Sequence, residues 1–194
     1  VRGTSMTTYR REVIAHELTH ALDDQIFGLD DDFGESLLGE RTFSSLVAIE
    51  GDAVRVQQQY VSSMSALEQA QDVAEQLQLG SDPALLQVPL ALLSLTQAPY
   101  LRGGTFAYQV AARGGTAGLD ETMERYPATA EQAFDVDKYV ANEPAVAVPT
   151  PPIEPGGTPV DSGTWGQYLL TMVLRSGLAL DAVDPVTRGW AGDA

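Results

Sequence analysis

The two histidines of this chain stand four residues apart, in His16-Glu17-Leu18-Thr19-His20, and no other histidine exists. On a helix, residues four apart lie about 40° around the axis and one turn apart, so both imidazoles can point at one metal ion. Zinc takes imidazole nitrogens at about 2.0–2.1 Å in a tetrahedral set, which one helical turn supplies without strain. Glu17 lies about 100° from His16, beside a metal rather than on it. A carboxylate there can accept a proton from water that the metal has made more acidic. The H-E-x-x-H spacing thus points to His16 and His20 as metal ligands, Zn2+ as cofactor and Glu17 as general base. The alternative is a pair of surface histidines on an ordinary helix.

A third ligand must come from elsewhere. Cysteine is absent, which excludes thiolate zinc sites, disulfides and cysteine nucleophiles. The metzincin arrangement needs glycine three residues and histidine or aspartate six residues after the second histidine. Here Asp23 and Ile26 hold those places. The gluzincin arrangement takes a glutamate from a second, downstream helix. Glu50, thirty residues beyond His20, is the lone charge after the apolar run Leu46–Ile49. An unpartnered carboxylate on such a face is costly, and a metal relieves the cost. The other reading of Glu50 is a solvated helix glutamate. Gly51 follows directly and costs helix propensity, which suggests close packing of the two metal-bearing helices.

Helix signals surround these residues. Thr7 or Thr8 caps a first helix that Gly28 ends. Ile14, Leu18, Ala21 and Leu22 form its expected core face. An acidic loop, Leu29–Glu40, follows; a solvated charge run is the favoured reading of Asp30–Glu35 and a calcium loop the lesser one. A long helical pattern runs from Thr42 to Leu79, with Leu46, Glu50, Ala53, Gln57, Tyr60, Val61 and Met64 on one face and serines at 62, 63 and 65 able to break it. Asp82-Pro83 opens a third helix, kinked at Pro89, and Pro99 starts a fourth that ends at Gly114-Gly115. A short helix covers Leu119–Arg125, and Thr129 with Gln132 resembles a capping box. Residues 144–159 are loop, with at most a short strand at Ala145–Val148. Trp165–Arg175 forms a last long helix, with helical turns after it. The fold class is mainly α with little strand.

At 194 residues the chain fits a single domain, subdivided as 1–80 with the zinc-site helices, 81–143 helical, 144–163 Pro/Gly-rich loop and 164–194 C-terminal helices. Eleven basic against 27 acidic residues give a net charge of −16, which argues against nucleic acid and against an anionic membrane surface. The longest apolar stretch, Ala84–Thr96, contains Pro89 and is too short to span a bilayer.

The set His16, His20 and Glu50 resembles the gluzincin class of zinc metallopeptidases. The longer strings His16–Gln25 and Glu50-Gly51-Asp52-Ala53 are similar to a poorly characterised prokaryotic family of that type. So are Pro99-Tyr100 with Gly103, Gly114-Gly115, Thr129–Gln132, Asp137-Lys138-Tyr139 and Gly189-Trp190-Ala191-Gly192-Asp193. The resemblance implies a gluzincin-like domain acting on peptide or protein substrates, extracellular or attached to the cell envelope. In that family more chain commonly follows the last string, so a fragment is expected here, one lacking an N-terminal substrate-binding sheet. The chain also departs from the pattern. Where a thermolysin-like enzyme has an aspartate four residues after the zinc glutamate, Val54 stands; Asp24, four residues after His20, is either the group that takes over the support of a zinc histidine or an ordinary helix-end carboxylate. Where the family often has histidine, Asp135 stands. Tyr100 is the candidate donor to the oxyanion that develops during hydrolysis, with Tyr60, Tyr108 and Tyr139 as competitors. Two rival functions keep the metal: a zinc-binding scaffold or partner-binding module without turnover, and a hydrolase of non-peptide amides.

Overall fold

A computed structural model describes residues 5–29, 39–150, 152, 156–158 and 163–193. The acidic loop read as solvated charge or calcium site lies outside the described residues. Among those described the chain is helical, with no strand. It divides into two compact units, Val1–Leu29 with Val47–Glu124, and Asp30–Leu46 with Arg125–Ala194, a division that cuts across the sequence-based boundaries at 80 and 143.

The first unit holds helix α1 (Thr8–Phe27), α2 (Glu40–Ser63) from Val47 onward, α3 (Ala66–Gly80) and α4 (Leu90–Glu124). Thr7 caps α1 by accepting from the Arg10 N–H, and Gly28 closes it in the left-handed region at φ 64°, its N–H donating to the Asp24 carbonyl. The expected single long helix is two helices. Ser65 and Glu68 form a reciprocal capping box that starts α3, so the chain turns at Met64–Ser65. The expected third and fourth helices are also redrawn. Asp82-Pro83 leads only into a short 3₁₀ turn, Leu85–Gln87. Pro89 precedes α4 instead of kinking a helix, and α4 runs through Pro99. The break at Gly114-Gly115 is present as one residue, Gly115, whose φ of 61° suits glycine and no β-carbon-bearing residue comfortably.

The burial of α1 is the reverse of the expectation. Thr8, Glu12, His16, Thr19 and Asp23 form its buried stripe, whereas Leu18, Leu22 and Ile26 are 63%, 54% and 61% exposed. Ala21 is exposed too, and Ile14 half-buried. The reason is what the neighbours present. α2 and α3 offer Glu50, Gln57, Asp72 and Gln76, partners for polar groups, so the polar face of α1 turns inward where its hydrogen bonds are met.

Gly51 does serve close packing, but against α4 and not against α1. A β-carbon on Gly51 would lie 2.5 Å from the Gly103 carbonyl oxygen, and one on Gly103 would lie 2.6 Å from the Val47 carbonyl oxygen. The two backbones meet with nothing between them. Beside this crossing, Val54 of α2 packs toward Gly104.

In the second unit α5 (Ala130–Phe134), α6 (Val136–Val140), α7 (Gly166–Arg175) and α8 (Leu180–Arg188) gather with the first turns of α2. Phe43 stacks on Tyr168 at 4.5 Å between ring centroids. The Gly189–Asp193 string is structural: Asp193 accepts from the Trp165 and Gly166 N–H groups at 2.9 and 2.8 Å and from the Trp190 indole at 3.1 Å, tying the chain end to the start of α7. Thr129 caps α5, and the Gln132 side chain accepts from Ala128 instead of closing a full capping box. Asp135 caps α6. The short strand allowed for at Ala145–Val148 does not form; Val146 makes one backbone hydrogen bond, to Ala191.

Glu40 is buried where α2 begins and accepts from the Ala130 N–H at 2.9 Å. Burial pushes its carboxyl from an ordinary 4.5 up to about 7, against that hydrogen bond and with help from the charges of Asp193 and Glu131.

Two predictions follow from these contacts. Gly51→Ala and Gly103→Ala should each destabilise by about 1–3 kcal/mol, because carbonyl groups cannot swing aside as side chains do. Gly114→Ala, whose β-carbon meets nothing within 4 Å, should show no loss in the same denaturant titration and gain up to about 1 kcal/mol from helix propensity. For Glu40, the folded state holds the proton more tightly than the unfolded chain does. Its stabilising effect is therefore complete below 4.5 and lost as pH rises through about 7. Melts at about pH 5 and about pH 8 should show the parent losing more stability over that interval than Glu40→Gln, which keeps an oxygen for Ala130 and cannot ionise.

Candidate metal centre

The helical spacing of His16 and His20 is realised on α1, and their rings meet edge to face at 4.6 Å between centroids. α2 brings Glu50 to both. The Nε2 atoms of His16 and His20 lie 3.0 Å apart, and the Glu50 Oε2 lies 3.1 Å from the first and 3.4 Å from the second. These three atoms form a small triangle. For bonds of about 2.0–2.1 Å, the edges of a tetrahedron around zinc are about 3.3–3.4 Å. The observed triangle is close to one face of such a tetrahedron, and two imidazoles with one carboxylate are donors zinc accepts. His16, His20 and Glu50 are the one group of this kind among the described residues. The residues fit the metal.

Electrostatics point the same way. Burial opposes ionisation of Glu50, yet the hydrogen bonds and charges of His16 and His20 prevail and hold its carboxyl at about 2. The hydrogen bond to Glu50 also raises the pKa of His20, ahead of the opposing effect of burial. Glu50 is thus ionised at the centre of the site, and the bond to it favours a positive charge at His20.

Glu17 is exposed on α1, and its charge is felt at both His20 and Tyr100. Tyr100 of α4 lies with its ring against His16, 5.8 Å between centroids and 23° from parallel. Burial, then the charge of Glu50 and a hydrogen bond to it, push its phenol up to about 12, so the proton stays in place. The competing tyrosines are placed otherwise. Tyr108 is exposed, Tyr60 is associated with Arg11, and Tyr139 in the second unit donates to the Arg125 carbonyl at 2.9 Å.

The support around the ligands differs from the expectation. Asp24 is exposed; its neighbour Asp23 is buried and its charge acts on His20. The buried stripe of α1 advances by three residues from His20, not four. Burial, and then the charge of Asp52, raise Asp23 to about 6. Its Oδ2 and the His20 Nδ1 are both buried without a hydrogen-bond partner in the protein. At His16, the Nδ1 is met at 3.0 Å by Gln57, a residue read from the sequence only as part of a helix face. The available signal was spacing, since Gln57 lies two turns after Glu50 on α2. Asp52 is paired with Arg55 at 2.9 Å and stands apart from the ligand set.

No family model, curated protein or solved structure matches the chain.

The geometry sets an expectation for metal affinity. Zinc-loaded parent protein should carry about one zinc per chain by elemental analysis. Glu50→Ala should lose more affinity than the ~10–100-fold typical of a residue that only supports a ligand. It should also melt lower with zinc present, because metal binding is linked to folding. Asp52→Ala, whose partner is Arg55, should bind zinc like the parent. Chelator competition on the three proteins measures this; the opposite ranking would make Asp52 the ligand.

Proposed function

We propose that the chain is a zinc-dependent hydrolase of peptide bonds, with the gluzincin ligand set His16, His20 and Glu50. The observation that carries the proposal is the triangle of ligand atoms, 3.0, 3.1 and 3.4 Å on its edges, with Glu17 exposed at its side. Zinc held there would polarise a substrate carbonyl and lower the pKa of water toward about 7. Glu17 then acts as the proton carrier. Its carboxylate takes a proton from the attacking water and passes it to the departing amine nitrogen as the C–N bond breaks. Tyr100 keeps its phenolic proton and can offer it as a hydrogen bond where negative charge develops on the carbonyl oxygen. Buried His16 and half-buried Glu50 hold the positions from which this chemistry is directed, and exposed Glu17 leaves the substrate side open. The resemblance to secreted or envelope-bound metallopeptidases supports the same class of substrate.

A zinc-binding scaffold with little turnover is the second reading. It is favoured by one observation: the described residues offer no strand along which an extended peptide could pair. Hydrolysis of a mixed peptide library separates the two. Glu17→Gln should keep its zinc and lower hydrolysis by ~10²–10⁴-fold, because the amide preserves shape and cannot accept the proton. Loss of metal in this variant would make Glu17 a ligand. Absence of parent cleavage with zinc fully bound would favour the scaffold.

A further inference from the structure

The His16 ring has two nitrogens in contact with protein, and both face oxygen atoms, so one ring proton serves one contact and the other needs a second cation. Nδ1 lies 3.0 Å from the Gln57 Oε1, and Nε2 lies 3.1 Å from the Glu50 Oε2. The Gln57 carboxamide is not free to turn over. Its Nε2 donates to the Glu12 Oε1 at 3.1 Å, and that same oxygen accepts from the Gln76 Nε2 at 3.1 Å. Gln76 Nε2 also donates to the Asp72 Oδ2 at 2.8 Å. Glu12 and Asp72 are each 2% exposed, so this anchor is out of water. Reversing the amide would set oxygen against oxygen at Glu12 and leave a buried acceptor without its donor. Gln57 therefore presents an oxygen to His16, and an oxygen can only receive a proton from Nδ1.

We propose that Gln57, held by Glu12, is the positioning residue that accepts the Nδ1 proton of His16 and so turns Nε2 to the metal position beside Glu50, where the metal supplies the second cation. This rests on the metal-binding reading of the site and is independent of hydrolysis. It would also leave no need for a supporting group at Val54, which packs toward Gly104 and cannot accept a hydrogen bond where the thermolysin-like pattern has an aspartate. A neutral side chain supports His16 beside Glu12 and Asp72 without adding a further negative charge to a buried acidic pair.

With only two histidines in the chain, two-bond nitrogen–proton correlation spectra report their tautomers without crowding. In the zinc-loaded parent, His16 should show a protonated Nδ1 whose proton exchanges slowly with water, because the Gln57 oxygen accepts it. Gln57→Leu should speed that exchange and weaken zinc binding by ~10–100-fold in chelator competition. A fast-exchanging His16 Nδ1 proton in the zinc-loaded parent overturns the proposal, as does Gln57→Leu with the parent's exchange and affinity. Should Gln57→Leu fail to fold, the exchange measured in the parent decides alone. A parent that takes up no zinc overturns the metal reading and the proposal with it.

Discussion

Glu50 has surrendered most of its water and faces two imidazole nitrogens, each within 3.4 Å of one carboxylate oxygen. A buried carboxylate surrounded by nitrogen lone pairs is unfavourable unless a cation, either proton or metal, sits among them. Much of the first unit can be understood as what it takes to hold that arrangement. α1 must turn its histidines inward and α2 must bring a carboxylate to them. α4 must press α2 closely enough to place Tyr100 over His16, and the glycine pair 51 and 103 permits that approach.

The same requirement explains why α1 violates the usual rule for amphipathic helices. A helix buries whichever face its neighbours can satisfy. Here α2 and α3 carry carboxylates and carboxamides at the contact, so burying Leu18 and Leu22 would strand those groups without partners. Glu12 illustrates the cost that remains: burial, then the charge of nearby Asp72, pushes its carboxyl up to about 7 in spite of the hydrogen bond from Gln57. Such a network is most favourable when every member is paired, and three buried side-chain atoms among the described residues of this unit lack a partner: His20 Nδ1, Asp23 Oδ2 and Asp72 Oδ1.

In the proposed reaction, rigid and accessible parts are separated. The ligands are on helices with little exposure, whereas Glu17 and part of Tyr100 face outward. Tyr100 gives its one phenolic proton to Glu50, and in the proposed reaction would turn it to the carbonyl oxygen as negative charge develops there. The second unit contributes no group to this chemistry among those described. Its signature residues instead build a cap on α7 through Asp193.

Local chemistry was readable in the amino-acid order. Four-residue spacing places His16 and His20 together on any helix, Thr7 and Gly28 bound that helix, and an isolated glutamate after an apolar run marked Glu50, because each signal acts over one or two turns. The mainly helical class followed from the same short-range patterns. Polarity patterns alone pointed to the wrong buried face on α1, to Asp24 in place of Asp23, and to α1 as the neighbour of Gly51. Those depend on which residues far along the chain arrive opposite, and a polar stripe is buried only when another polar stripe meets it. Gln57 could not be distinguished from any helix-surface glutamine until Glu12 and His16 closed on its two ends, because a carboxamide acquires a direction only from the groups that bind it.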